Sequence, residues 1–170
     1  LELQETDVLV IGGGILGCMA AYYLASNGVD CTLYERDALG RGASGSNAGS
    51  LHFQIRHDEN LNPGRRFLIR ESIQDWREFA SLLGPRSEIS FGGGLMVAET
   101  PDQSVLLQSK LSTEASLGLD CRYISSKTLR EDFSQLSTRL TGAVFCSDEG
   151  SANPLTSTQM IADLAKLQGA

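Results

Sequence analysis

The sequence contains little positive charge and few aromatic residues. Of its 170 residues, 14 are Lys or Arg and 21 are Asp or Glu, so the formal net charge is -7. Because no basic stripe runs along the chain, a nucleic-acid partner is not expected. The small cluster of Arg65, Arg66 and Arg70 is typical of a solvated helix face.

The cysteines are few and isolated from one another. None of the four forms a CxxC pair, and no histidine stands at metal-ligand spacing from them, so no metal site is predicted. We interpret them as small buried residues of a protein in a reducing compartment, which indicates the cytoplasm. The four positions are Cys18, Cys31, Cys121 and Cys146.

The sequence also lacks the pattern of a membrane segment. Residues 8–25 are uncharged and mostly apolar, but acidic residues precede them and three adjacent glycines interrupt them. A signal peptide would carry positive charge before the apolar stretch, and a membrane helix would continue through it. Membrane association is therefore expected only as a peripheral contact.

A βαβ pattern opens the chain. The apolar, β-branched run from Val8 to Ile11 ends at glycine, which predicts a buried parallel strand. Apolar residues fill nearly every position from Ile15 to Asn27, which predicts a helix ended by the following glycine. A second buried strand is predicted from Cys31 to Tyr34. Two such parallel strands require the helical crossover between them.

The glycine motif inside this unit predicts a dinucleotide site. It matches GxGxxG and occupies Gly12, Gly13, Gly14, Ile15, Leu16 and Gly17. Gly12 would permit the tight turn, Gly14 would let the backbone approach a pyrophosphate, and Gly17 would let the helix pack on the strand. Glu35, at the end of the second strand, would accept hydrogen bonds from ribose hydroxyls. Its carboxylate would repel a 2′-phosphate, which argues against NADP. The fingerprint alone leaves NAD and FAD open.

The segment 40–50, with the sequence GRGASGSNAGS, has two interpretations. Its composition is that of a flexible linker, and its place directly after the second strand favours a ligand-binding loop. A helix is then predicted from an Asn62-Pro63 cap to Gly84-Pro85, with the apolar spacing of a core-packing element.

The pattern changes after residue 94. Three short segments predict strands of a different, antiparallel sheet: Leu95 to Ala98, Arg122 to Ile124 and Ala143 to Cys146. A capping box at Thr100 predicts a helix that ends at Gly118, and a cap at Asn153-Pro154 predicts a last helix that stops at Gly169. At this length one domain and a fragment of another are expected.

These motifs resemble the D-amino-acid-oxidase-like superfamily of FAD-dependent oxidoreductases. The resemblance is carried by DVLVIGGGILGCMAAYYLASNGVDCTLYER, by GRGASGSNAGSLHFQ, and by the segment from Gly142 to Pro154 with its helix. The wording SGSNAGSLHFQ is most similar to subunits of cyanide-forming glycine dehydrogenases and of opine and hydroxyproline dehydrogenases. The resemblance spans essentially the whole chain.

The resemblance implies an α/β fold in which a Rossmann-like FAD-binding βαβ domain is joined by the beginning of an antiparallel-sheet substrate domain. It divides the chain into an FAD-binding portion at 1–85, a partial substrate domain at 86–147 and a return helix of the FAD domain at 148–170. The chain is expected to be truncated at its C-terminal side, before the later substrate-binding sheet and a second FAD contact.

The resemblance also assigns roles to individual residues. Glu35 and Arg36 are expected on the adenosine side of FAD. Arg41, Ala43 and Ser44 are expected along the pyrophosphate and ribityl chain, with Arg41 a phosphate partner. The residues expected to approach the flavin ring through backbone groups are Asn47, Ala48, Gly49, Ser50 and Leu51.

The resemblance implies hydride transfer from the α-carbon of an amino acid or secondary amine to FAD, giving an imine. No catalytic acid or base is named within these residues. The alternatives are a truncated, catalytically incompetent homologue that serves as a subunit or interaction module and, third, an NAD-dependent dehydrogenase. A small-molecule substrate and partner subunits are the expected partners.

Four further polar residues are candidates for a role. His52 either faces the flavin or substrate or is satisfied by backbone hydrogen bonds at a loop exit, and the second interpretation is favoured. His57 is interpreted as solvated. The run from Ser147 to Ser151 predicts a turn, so Asp148 and Glu149 receive no catalytic task.

Overall fold

A computed structural model describes residues 5–54 and 63–170. Asn62 and His57, for which a helix cap and a solvated site were predicted, lie outside the described residues. The strands are β1 Val8–Ile11, β2 Cys31–Tyr34, β3 Ser50–Leu51, β4 Ile89–Ser90, β5 Gly94–Ala98, β6 Cys121–Ser125, β7 Gly142–Cys146 and β8 Gly150–Ala152. The helices are α1 Ile15–Ser26, α2 Pro63–Leu83, α3 Pro101–Ser109, α4 Leu111–Ser116, α5 Ser126–Asp132 and α6 Pro154–Leu167.

The chain forms two compact units. The first comprises residues 1–50, 79–89 and 152–170, and the second comprises residues 51–78 and 90–151. The short strands β3, β8 and β4 form a three-stranded sheet in that order. No helix within the described ranges is both long and apolar enough to cross a membrane.

The first unit contains the predicted βαβ element. Strands β1 and β2 are parallel, with Val8 opposite Cys31 and Ile11 opposite Tyr34. Helix α1 packs against α6 and β2 through small buried residues, Ala21, Ala25 and Ala165. Because alanine adds little bulk, the helix backbones come close to one another and to the strand. The predicted parallel unit is confirmed, but the prediction that its strands are buried was wrong, since Ile11 is 83% exposed and Cys31 alone is buried in β1 and β2. An apolar run shows that a strand can be buried, not that both of its faces are covered.

The second unit contains an antiparallel sheet in the order β5-β7-β6. All three predicted strands are confirmed, each extended by one or two residues. The central strand, β7, is buried at four of its five positions, as expected for a strand paired on both sides. With its parallel and antiparallel sheets, the chain has the mixed α/β architecture predicted from the sequence.

The helix predicted between Thr100 and Gly118 is divided in two. The capping box at Thr100 is present, with Gln103 bonding back to the cap, but α3 ends at Ser109 and α4 begins at Leu111. Lys110, at the junction, is only 5% exposed, and its Nζ lies 2.7 Å from Oε1 of the buried Glu114. The polar sequence at this place gave no sign that a lysine would turn inward, so the prediction of one continuous helix was wrong.

Candidate functional site

The glycine loop joins β1 to α1 in the first unit. Gly12 has a φ of 109°, a backbone conformation that only glycine adopts readily. Its N–H donates to the carbonyl of Tyr34 at 2.8 Å, which ties the loop to the end of β2. A Cβ on Gly17 would overlap the carbonyl oxygen of Gly12, because α1 begins so close to the loop. Glycine is thus required at both positions by local geometry.

Glu35 closes one side of this loop. Its Oε2 accepts a hydrogen bond from the Gly13 N–H at 2.7 Å, and its Oε1 accepts one from the Asp37 N–H at 3.0 Å. These two bonds, the Gly13 bond first, hold the pKa of the Glu35 carboxyl below its ordinary value. The carboxylate is therefore ionised at neutral pH, and the contact is lost only as the pH falls through that lowered pKa.

The segment after β2 forms the opposite side. Ala43–Gly45 is a single 3₁₀ turn, and within it the Ser44 Oγ accepts a hydrogen bond from the Ile15 N–H at 2.9 Å. The Gly40 N–H donates to the carbonyl of Gly13 at 2.8 Å. The sequence left two interpretations of this segment, a flexible linker and a ligand-binding loop. The structure supports the loop, because the segment has a defined conformation and packs against the start of α1.

These elements enclose a concave site within the first unit. Glu35 contributes a fixed negative charge, while Arg36 and Arg41 are exposed and contribute two guanidinium groups. The helix start adds the positive end of a helix dipole. In such a site the carboxylate can accept hydrogen bonds from hydroxyl groups, and the guanidinium groups and the helix start can bind a diphosphate. Its lining residues are Gly14, Glu35, Arg36, Asp37, Gly40, Arg41, Gly42, Ala43 and Ser44.

The residues expected at the flavin ring lie outside this lining. Asn47 instead organises its own loop: its Oδ1 accepts from the Gly49 N–H at 2.7 Å, and its Nδ2 donates to the carbonyl of Ser44 at 2.7 Å. The carbonyl of Gly49 accepts from the Ala152 N–H at 2.8 Å. Ala48 lies in the same loop, and Ser50–Leu51 form β3. A flavin contact by residues 47–51 stays a prediction.

Three residues that line the site were not predicted from the sequence, namely Asp37, Gly40 and Gly42. Gly40 has a φ of 71°, and its N–H reaches the glycine loop. The signal was present, since both glycines stand in GRGASGS directly after the second strand. The linker-like composition of that segment obscured it.

In the second unit, Glu149 anchors the segment after β3. The side chain is 2% exposed, and its Oε1 accepts hydrogen bonds from the backbone N–H groups of Phe53 and Gln54, each at 2.8 Å. Its Oε2 accepts from the Gln54 Nε2 at 2.9 Å and lies 3.5 Å from the His52 Nδ1. His52 is 68% exposed, so its described partner is a carboxylate and not the backbone. The turn predicted at this place is present at residues 147 and 148.

Replacing Glu149 with glutamine should destabilise the protein by about 2–3 kcal/mol, because an amide nitrogen would face buried N–H donors. Urea unfolding followed by circular dichroism measures this loss. The matched control is Glu131→Gln, a carboxylate that is 59% exposed, which should change the free energy of unfolding by less than about 0.5 kcal/mol. Equal effects of the two changes would show that the buried bonds contribute nothing.

The fold and the site together define a βαβ dinucleotide-binding protein, with glycines at the strand-to-helix turn and an acidic residue after the second strand. Residues 7–170 match the DAO family, described as FAD dependent oxidoreductase. The chain belongs to this family, as the resemblance predicted. The prediction of FAD as cofactor is confirmed at the level of the family, and the NAD-dependent alternative is set aside.

Individual relatives are similar over nearly the whole of this chain. It is 31% identical over 163 residues to one of the subunits of the anaerobic glycerol-3-phosphate dehydrogenase of Haemophilus influenzae, covering 95% of this chain and 28% of that protein. It is 27% identical over 177 residues to gamma-glutamylputrescine oxidoreductase of Escherichia coli, covering 99% and 41%.

Among solved structures, glycine oxidase from Bacillus cereus ATCC 14579 superposes with a TM-score of 0.83 at 25% identity, covering 98% of this chain and 45% of that one. The chain therefore spans less than half the length of each of these three proteins.

Proposed function

We propose that the protein containing this chain removes hydride from the α-carbon of an amino acid or secondary amine and yields an imine that water hydrolyses. When bound, FAD supplies the electron sink for this chemistry. Support comes from the names of two similar proteins, a glycine oxidase and a gamma-glutamylputrescine oxidoreductase. The observation that carries the cofactor part is the Glu35 carboxylate fixed against the Gly13 N–H.

The residues present fit the adenosine half of FAD. A carboxylate has about four lone-pair positions, and two described N–H donors use only part of that capacity at Glu35. The remaining lone-pair positions can accept hydrogen bonds from the ribose hydroxyls. Side chains on Gly13 and Gly14 would collide with Leu39 and Ser44, so glycine lets the segment after β2 pack on the loop. The start of α1 then offers the positive end of a helix dipole to a diphosphate. Arg36 and Arg41 can pair with the phosphates.

We assign the flavin end to the segment from Asn47 to Leu51. The Asn47 side chain holds the loop by three hydrogen bonds, so the backbone after it has a fixed course before any ligand binds. Such preorganisation is what backbone donors need in order to stabilise charge that develops on a bound ring. We keep the proposed division of the chain into an FAD-binding portion at 1–85, a partial substrate domain at 86–147 and a return helix at 148–170.

A second candidate is a subunit or interaction module without turnover of its own. It is favoured by the name of the glycerol-3-phosphate dehydrogenase relative, which is itself one subunit of an enzyme. Partner subunits therefore belong to the proposal. The cytoplasm is the proposed location, since all four cysteines are free thiols.

The full-length protein distinguishes these candidates. We expect it to be yellow when purified, and anaerobic addition of amino acids or secondary amines should bleach the flavin absorbance. Bleaching by glycerol 3-phosphate alone would replace the amine with an alcohol as the substrate class. Folded, colourless protein that takes up no added FAD would support the module and contradict the proposed enzyme.

Replacing Glu35 with alanine should raise the dissociation constant for FAD by about 10-fold or more, because the charge-assisted hydrogen bonds from the ribose hydroxyls are lost. Titration of apoprotein with FAD, followed by flavin fluorescence, measures the change. The control Glu131→Gln removes an exposed carboxylate of the second unit and should leave the constant unaltered. An unchanged constant in Glu35→Ala would remove the ribose assignment.

A further inference from the structure

Two of the four cysteines face each other across the antiparallel sheet of the second unit. Cys121 begins β6, Cys146 ends β7, and the register places them directly opposite one another. The Ser147 N–H donates to the carbonyl of Asp120 at 3.0 Å, so the neighbouring cysteine pair falls at a position without mutual backbone hydrogen bonds. Opposite side chains approach most closely at such positions, with Cα atoms about 4.5 Å apart, within the range that a disulfide spans.

The surroundings of the two thiols are mostly apolar, and the buried Glu114 carboxylate is a second hydrogen-bond partner of Cys121. Cys146 is buried and Cys121 half-buried, and both pack against the apolar side chains of Phe53, Leu117 and Leu119. On the other side of β7, the residue opposite Cys146 is Gly94, which offers no side chain. The hydrogen bond between the two thiols is the largest cause that raises the pKa of Cys121 and lowers the pKa of Cys146.

We propose that Cys121 and Cys146 form a reversible disulfide site that is oxidised by a small peroxide. The half-buried Cys121 sulfur attacks the O–O bond of hydrogen peroxide, becomes a sulfenic acid, and the first water is released. The Cys146 sulfur then attacks the Cys121 sulfur, and the S–S bond forms as the hydroxyl leaves with a proton as the second water. Two thiols lose two electrons, and the peroxide gains them.

Solvent exposure assigns the order of the two thiols, because Cys146 is buried and Cys121 is not. Cys121 is the one that solvent reaches, and its raised pKa makes the first attack slow, so sustained peroxide is needed rather than a trace. Cys146 has the lowered pKa that favours a thiolate, which suits the second, resolving attack. The Glu149 N–H bonds to the carbonyl of Cys146 at 3.4 Å, so the disulfide would form next to the carboxylate that anchors Phe53 and Gln54.

Peptide mapping of the full-length protein tests this site. Reduced, folded protein is treated with hydrogen peroxide, unfolded in iodoacetamide and cut with trypsin. The sequence places Cys121 in peptide 111–122 and Cys146 in peptide 140–166. Cys18 and Cys31 share the peptide that ends at Arg36, because no Lys or Arg precedes that residue. Both are buried, and burial also raises the pKa of the Cys18 thiol, so they act as internal controls.

We expect the two peptides to appear joined, two hydrogen atoms lighter than their sum, and to separate on adding dithiothreitol, while Cys18 and Cys31 stay alkylated. In Cys121→Ser, Cys146 should remain reduced, and in Cys146→Ser, Cys121 should stop at a sulfenic acid that dimedone traps. Oxidation of Cys121 to sulfinic acid without the joined peptide would overturn the proposal. So would four unchanged thiols at a peroxide dose that oxidises all of them in denaturant.

Discussion

Replacing Gly17 with alanine is expected to lower the free energy of unfolding by about 3 kcal/mol or more, and to abolish FAD retention with it. The added Cβ would overlap the carbonyl oxygen of Gly12, and backbone cannot yield as the end of a flexible side chain can. Helix α1 would have to move away from β1, and this movement would displace the glycine loop that joins them. Stability and cofactor binding therefore fall together.

The sign of this effect separates packing from helix propensity. Alanine favours a helix over glycine by about 1 kcal/mol, so propensity alone predicts a more stable variant. Chemical denaturation followed by circular dichroism, with flavin absorbance of the folded fraction, decides between them. The control is Gly92→Ala, where a Cβ would meet open space and stability should change by less than about 0.5 kcal/mol. A Gly17→Ala protein at least as stable as wild type would contradict the close approach.

The elements that could be predicted well from the sequence depend on local patterns. The βαβ unit follows from short apolar strands, a run of small residues in α1 and glycines at fixed spacing, all within 35 residues. The same holds for the caps at Thr100 and Asn153, where one side chain satisfies N–H groups two or three residues away. Such signals are visible because cause and consequence lie next to each other in the chain.

The features that could not be predicted from the sequence depend on contacts between distant segments. Glu149 accepts from Phe53 and Gln54, which are 96 and 95 residues away. A carboxylate between an aspartate and a glycine has the local pattern of a solvated turn, and no spacing rule indicates that its partners are buried N–H groups. The position of Cys121 opposite Cys146 depends likewise on the register of two strands, and the pattern of a single sequence does not determine that register.

The same distinction applies to the candidate site. Glu35 and the glycine loop were predictable because the dinucleotide fingerprint is a local motif with a local geometry. Ser44 was assigned through family resemblance, but its bond to the Ile15 N–H spans 29 residues and had no signal in composition. In the second unit, the buried partners of Glu149 depend on tertiary contacts in the same way.

Replacing Lys110 with methionine is expected to cost about 3–5 kcal/mol of stability, the usual penalty for breaking a buried ion pair. Glu114 is fully buried, and its charge is compensated by the Lys110 ammonium, which lies 2.7 Å from its Oε1. Without that ammonium, the carboxylate keeps its desolvation cost and loses its compensating charge. Urea unfolding of the variant measures the loss.

A second substitution shows whether the cost comes from the unpaired charge or from lost packing. Adding Glu114→Leu to the Lys110→Met variant removes the buried carboxylate, and most of the lost stability should return, since apolar residues can replace a buried pair at little cost. The exposed pair Lys127 and Glu131 has the same spacing, so Lys127→Met should cost less than about 0.5 kcal/mol. A double variant no more stable than Lys110→Met would attribute the loss to packing around α3 and α4, because removing the charge had then restored nothing.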